Sequence, residues 1–388
     1  MNIEIKSQLI SLFDASVTAV AGVSATHVNL KKILLADNDF QPDLVVSIGK
    51  AASGMCAGAL AALEENGQAN CPALLITKYQ HTDQDMLDNI NVKVIESAHP
   101  VPDQNSLDAG KTALKSITDM PNNSQLLLLV SGGTSSLSEV LPEKITLDQW
   151  QAMTDEMLSS GFSIGQINAK RKEISQIKDG KLLKAFNGKQ VKVLAISDVE
   201  GDDISVIGSG TGDTHRYKGE SNVHLIGTNQ VARQAIADLA QAKGYPIVSN
   251  TESMYDDVHN VAQHIATTLL QGAKDNVKGI YIFGGEPTVI LPNNPGDGGR
   301  NQSLALALAI HIQGVSNISI LVAGTDGSDG PTDAAGGIVD GNTVKDIDRA
   351  KQMLIRADAG TYLRNCDSIF ITGPTNTNVM DVIIAIID

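Results

Sequence analysis

The chain has 388 residues, with 29 Lys and Arg against 44 Asp and Glu and a formal net charge of −15. At 42% apolar and 19% charged residues its composition is globular, not disordered or fibrous, and it is long enough for two domains with separate cores. The acidic balance argues against a general nucleic-acid or anionic-membrane binder, because phosphates would repel it; a small anion needs a local gathering of cations, N–H groups or metal.

The opening MNIEIKSQLISLF mixes charges into an apolar pattern and predicts an amphipathic helix. The uncharged run Ala15–His27 is rich in Ser, Thr and Gly and has no basic stretch ahead of it, so it is not read as a signal peptide. No run of about 18 apolar residues exists to span a membrane. Cys56, Cys71 and Cys366 have no metal-ligand spacing, and their odd number argues against a disulfide framework, which fits a cytoplasmic protein.

Further along, short β-branched runs alternate with helical patterns. Leu44–Ile48 leads into a helix over Ala51–Leu63, Val92–Ser97 into one over Ser106–Ile117, and Leu126–Val130 into the loop Ser131–Ser136. Val191–Ile196 precedes a polar loop, and a helical pattern covers Asn229–Gln241. Then come Gly279–Phe283, a helix after Asn301, Ile318–Ala323 and a closing strand Val382–Ile386. The alternation predicts an α/β fold with a parallel sheet covered on both faces. Turn residues cluster over Gly244–Asp257, which places the domains at 1–245 and 246–388, with the first helix free to pack on either.

Ligands of parallel α/β sheets sit beyond the carboxyl ends of the strands, where Gly-rich loops occur here. In SIGKAASG, Gly49 permits a sharp turn, and Lys50 stands beside the open N–H groups of a helix start that small residues leave clear. That combination is either an anion site or a plain strand-to-helix turn with a solvated lysine. HPVPDQNS offers His99 and the capping residues Asp103 and Ser106, and SGGTSS offers N–H groups and hydroxyls. A basic run, Lys170 to Lys181, is either functional or a solvated face. DVEGDD, from Asp198, could hold Mg²⁺ or form Asx turns. GSGTGD fails the dinucleotide fingerprint, since its third glycine comes one position early. In the second half GGEPT, GDGGRNQ with Arg300 before a helix, GTDGSDGPTDAAGG with Asp326, Asp329 and Asp333, and TGPTNTN all leave strand ends.

Taken in order, SIGKA, HPVPDQNS, SGGTSS, DVEGDD, GGEPT, GGRNQ, GTDGSDGPTDAAG and TGPTNTN closely resemble the class II glycerate kinases, the glycerate 2-kinase family, from about Leu44 to Val382. The sequence departs from that family's usual pattern at Thr134, where glycine is frequent, and at Glu200, where proline is common. The resemblance implies a larger Rossmann-like α/β/α domain, a smaller C-terminal α/β domain and an active site in the cleft between them. It implies phosphorylation of D-glycerate by ATP with Mg²⁺ to give 2-phosphoglycerate, in the cytoplasm, with no nucleic-acid or membrane partner, and it allows a homo-oligomer.

Carried onto this sequence, the catalytic set is Lys50, Arg300 and Asp326. Candidates for binding substrate and nucleotide are Ser53, Ser131, Gly132, Gly133, Ser135, Asn301 and Gln302, and those for Mg²⁺ are Asp198 and Glu286. Lys50 would stabilise phosphate charge, Arg300 would clamp the glycerate carboxylate or the moving phosphoryl group, and Asp326 would orient and deprotonate the C2 hydroxyl. Two rival readings are an NAD(P)H-dependent hydroxypyruvate reductase, which lacks its fingerprint here, and a non-catalytic nucleotide- or sugar-acid-binding protein.

Overall fold

A helix, α1 (Ile3–Val20), opens the chain, and its apolar positions Leu9, Leu12, Phe13 and Val20 are buried. The computed structural model describes residues 1–83, 91–160, 162 and 164–388. Their contacts divide into two units, Ala21–Gly227 and the combination of Met1–Val20 with Thr228–Asp388.

In the unit Ala21–Gly227 the apolar runs become β1 (Leu44–Ile48), β2 (Ala73–Lys78), β3 (Val92–Ser97), β4 (Gln125–Val130), β5 (Gln190–Ile196) and β6 (Glu220–Gly227). Among the described residues they form one six-stranded sheet in the order β3-β2-β1-β4-β5-β6, with every pairing parallel. Every residue of β4 and β5 is buried, as expected for inner strands covered on both faces. The helices among the described residues are α2 (Gly22–Ala36), α3 (Ala52–Glu65), α4 (Gln104–Thr118), the single turn α5 (Thr134–Leu137), α6 (Leu147–Ser159), α7 (Ile164–Ile174) and the single turn α8 (Lys181–Lys184). After β1 the chain moves toward β2 and β3, and after β4 it moves the other way, toward β5 and β6. The loops that leave β1 and β4 therefore diverge at the point where strand order reverses, which opens a ligand crevice in sheets of this kind.

The second unit holds β7 (Ile247–Glu252), β8 (Gly279–Gly285), β9 (Ile318–Gly324), β10 (Gly336–Asp340), β11 (Ile369–Phe370) and β12 (Asp381–Ile387). Their order is β11-β10-β9-β12-β8-β7, and only β7 and β8 pair in parallel, so this sheet is mixed. Its helices are α9 (Asn229–Ala242), α10 (Val258–Lys274), α11 (Arg300–His311), α12 (Ile347–Ile355) and α13 (Ala359–Asn365). On one face α1 and α9 bury Leu9, Leu12, Phe13, Ile236 and Ala240 against Ile280, Leu321 and Ile384. On the other, α10 and α11 bury Ile265, Leu269, Leu304 and Leu308 against Phe283, Val322 and Ile383.

The division of the chain differs from the expected 1–245 and 246–388. Helix α9 packs on β7, β8 and α1, so it belongs with the strands that follow it, and α1 joins the same unit. Within the expected turn cluster 244–257 lies strand β7 itself; only the segments on either side of it, one opening with Gly244 at φ 85°, are connections, and they join α9 to β7 and β7 to α10 inside one unit. The run Ala15–His27 is the end of α1 and the start of α2, broken at Ala21. No single helix among the described residues is long and apolar enough to cross a membrane.

Candidate functional site

At the switch point the loops after β1 and β4 are stitched together by their own backbone. Ser131 N–H donates to Ile48 O at 3.0 Å, Lys50 N–H to Gly132 O at 2.9 Å, and Ala51 N–H to Ser131 Oγ at 3.1 Å. Gly49 turns at φ 136°, and a Cβ there would run into Ser131, so only glycine fits. Gly133 takes φ 86° at the start of α5, and the position of its missing Cβ lies 3.1 Å from both Lys50 Cγ and His99 Cδ2. Thr134, the departure from the family pattern, donates its hydroxyl to Ile48 O and Ser131 O, both at 2.8 Å, and so ties the two strand ends. Among the described residues the N–H groups of Gly132 and Gly133 and the Ser135 hydroxyl have no hydrogen-bond partner, leaving donors beside the Lys50 stem. Ser53 is different: its Oγ accepts Asp83 N–H at 3.0 Å and the residue is buried. The small residues that were expected to leave the α3 start open are instead close-packed, with Ala51 and Ala52 buried and Gly54 lying 3.2 Å from Val23 N by its missing Cβ.

Lys78 adds to this positive corner, which His81 and His99 also line. Burial, reinforced by Lys50, Lys78 and His81, drives the His99 imidazole down to about 4, so it is neutral at pH 7. The basic run is largely consumed internally. Lys172 donates to Ser205 O, Lys181 to Lys172 O and Ser175 O at the end of α7, Lys170 pairs with Glu173, and buried Lys178 pairs with buried Glu139. GSGTGD is a tight turn with Gly208 packed on Thr134, and strand β6, not a helix, follows it.

In the other unit Arg300 opens α11 and is held by two carboxylates. Its Nε donates to Asp381 Oδ2 at 2.7 Å and Nη2 to Asp381 Oδ1 at 3.4 Å, while Nη1 pairs with Glu286 at 2.6 Å. Burial alone would favour the neutral guanidinium, but Asp381 and Glu286 outweigh it and hold the charge above even the ordinary arginine value. Asp381 is 1% exposed, and burial raises its carboxyl to about 6 against the opposing pull of Arg300. Asp329 is likewise raised to about 6 by burial, although it accepts Asn301 N–H at 3.0 Å and Gln302 N–H at 2.8 Å, capping α11.

Asn301 and Gln302 are buried in the same web. Asn301 Nδ2 donates to Asp381 at 2.9 Å, and Gln302 Nε2 donates to Asp329 and to Thr332, both at 2.9 Å, so their amide donors brace the loops. Asp326 accepts Ser328 N–H at 2.9 Å, and its Oδ1 and Asp381 Oδ1 each lie 3.2 Å from where a Cβ on Gly324 would be. Asp333 turns away to Arg364. The structure thus gathers Arg300, Asp326, Asn301 and Glu286 around Asp381, a residue absent from the expected set. Its signal was an acid opening an otherwise wholly apolar strand, DVIIAII.

For Mg²⁺ the two candidates differ. Asp198 lies so close over Gly132 that a Cβ there would strike its carboxylate, which puts a negative oxygen beside the free N–H groups of the β4 loop. A magnesium bound with nucleotide needs one or two carboxylates plus phosphate oxygens and water, and Asp198 fits that demand. Glu286 is already engaged by Arg300. Among the described residues no three His, Cys, Asp or Glu side chains converge as a metal cage.

Comparison with known proteins then decides the family. A D-glycerate 2-kinase of Thermotoga maritima is 34% identical over 99% of this chain and 98% of its own length. The chain belongs to the glycerate 2-kinase family. A glycerate 2-kinase of Pyrococcus horikoshii is 32% identical over 95% of this chain and 93% of its own. The crystal structure of the Thermotoga maritima glycerate kinase superposes with a TM-score of 0.88 at 32% identity, covering all of both chains. A family model described as a domain of unknown function, DUF4147, matches residues 8–241, and one described as the MOFRL family matches 279–381. The motifs that carry the family resemblance fall on the loops after β1, β3, β4, β5, β8, β9 and β11.

Proposed function

We propose that the chain transfers the γ-phosphoryl group of ATP to the C2 hydroxyl of D-glycerate, giving 2-phosphoglycerate and ADP. The observation that carries this reading is a preorganised anion-binding group in each unit: Lys50 beside unpartnered N–H groups of the β4 loop, and Arg300 fixed by Asp381 and Glu286. Phosphoryl transfer asks mainly for positioning and for cations around the moving group, so fixed cations suit it.

In this mechanism Lys50 and the Gly132 and Gly133 N–H groups neutralise phosphate oxygens. Arg300 Nε–H and one Nη2–H are hydrogen-bonded to Asp381 and Nη1 is ion-paired with Glu286, and the N–H groups left over clamp the glycerate carboxylate or the transferring group. Asp326 accepts the C2 hydroxyl proton as the new O–P bond forms and the bond from the γ-phosphorus to the bridging oxygen breaks. Bound Mg²⁺, with Asp198 as the best-placed carboxylate, would spread the charge of the phosphate oxygens.

ADP release with D-glycerate, ATP and Mg²⁺ tests the proposal. Lys50→Ala and Arg300→Ala should each lose at least about a hundredfold in turnover. Turnover within a few-fold of wild type in both variants would refute the assignment. Enolase alone should consume the product. NAD(P)H oxidation with hydroxypyruvate in the absence of ATP would instead favour the reductase reading.

A further inference from the structure

Strand β12 lies at the middle of its sheet, and the register sets Asp381 opposite Gly285 on β8 and Gly324 on β9. Neither neighbour carries a side chain, so the Asp381 carboxylate is not crowded along the sheet. Arg300 and Asn301 reach it from α11, and Asp326 approaches over Gly324. A buried carboxylate is costly unless paired and hydrogen-bonded, and here both oxygens are used: Oδ2 by Arg300 Nε, Oδ1 by Asn301 Nδ2 and Arg300 Nη2. The second carboxylate on Arg300, Glu286, has a side chain 43% exposed and holds only Nη1.

We propose that Asp381 is the positioning residue of this half of the site: it fixes the direction of the Arg300 guanidinium, and through it the N–H groups offered to an anion. Asp381 is too buried to meet a ligand and acts only through Arg300. With Asp381 neutralised, the half-exposed Glu286 is left as the sole anionic anchor, and a single contact at Nη1 does not set the plane of the fork. For its activity readouts the proposal rests on the kinase reading; for its structural readout it does not.

The test combines kinetics with proton exchange. Asp381→Asn, close in shape, should lower kcat/KM for D-glycerate at least tenfold while KM for ATP changes less than twofold. In the double variant with Arg300→Ala the further loss should stay within twofold of Arg300→Ala alone, because one residue acts through the other. Losses that multiply overturn the proposal.

Independently of turnover, the Arg300 Nε–H resonance, assigned by its disappearance in Arg300→Lys, should exchange with water at least tenfold more slowly than that of free arginine. It should keep that protection in Glu286→Gln and lose it in Asp381→Asn. An unprotected resonance in the wild type, or protection lost in Glu286→Gln, overturns the proposal even should Asp381→Asn not fold. A wild type that releases no ADP with D-glycerate defeats the kinase reading and leaves the exchange measurement to decide on Asp381.

Discussion

His99 lies against Gly133 and the Lys50 stem, and burial with three nearby cationic or titrating groups lowers its pKa from an ordinary 6.5 to about 4. The folded protein therefore takes up its proton later than the unfolded chain does. Its contribution to stability is complete above pH 6.5 and is lost as pH falls toward 4. Thermal unfolding of His99→Asn should accordingly show a smaller drop in Tm between pH 7 and pH 4 than wild type; equal drops would mean the imidazole is not buried as described. The same residue scale shows what the sequence could disclose. Lys50 and Arg300 were legible because each follows a glycine at a strand-to-helix junction, where the chemistry of the backbone is predictable. Asp381 was not, because its neighbours on β8 and β9 lie 96 and 57 positions away in the chain and only the register brings them together. Asn301 and Gln302 were legible as part of a motif, but sequence could not tell that their amides face inward to Asp381 and Asp329.

Between elements, α2 and α3 pack backbone to backbone. Gly22, Gly54 and Gly58 let the two backbones approach so nearly that a Cβ on Gly22 would sit 2.9 Å from Met55 N, and one on Gly58 would press into the Val23 carbonyl. Gly58→Ala must force the helices apart, at a cost of about 1–3 kcal/mol, measurable by urea unfolding. A stability unchanged within error would mean that α2 does not pack there. β1, β4, β5, β8, β9 and β12 were readable from strong apolar runs that the fold buries almost wholly, and the half-exposed edge strand β3 was read as well, whereas β2, nearly as buried, was not. β6 and β7 were not, since both lie at sheet edges and read as mixed polar sequence, and the two-residue β11 exists only by pairing with β10. The mixed direction of the second sheet was equally hidden, because antiparallel and parallel inner strands have the same composition when both faces are covered.

At the scale of the molecule, α1 precedes one unit in sequence and builds the other in space. Phe13 meets Phe370 edge-on with ring centroids 5.2 Å apart, inside the core of the sheet that β12 completes. Phe13→Ala should cost about 3–5 kcal/mol, and hydrogen exchange should quicken in peptides covering α9 and β11 while those of α2 and α3 stay protected. Faster exchange in α2 and α3 instead would place α1 elsewhere. Linear order misled the domain boundary for this reason: proximity along the chain favoured 1–245, whereas apolar burial chose Met1–Val20 with Thr228–Asp388.

That arrangement sets a schedule on the ribosome. Every strand of the all-parallel sheet has been synthesised once Gly227 has left the exit tunnel, so that sheet can close early. The other sheet lacks its inner strand β12 until Asp381–Ile387 emerge, and until then the greasy side of α1 faces an incomplete sheet. Between the synthesis of α1 and that of β12 the nascent polypeptide thus carries an incompletely covered apolar helix, a period during which a chaperone would have a surface to hold.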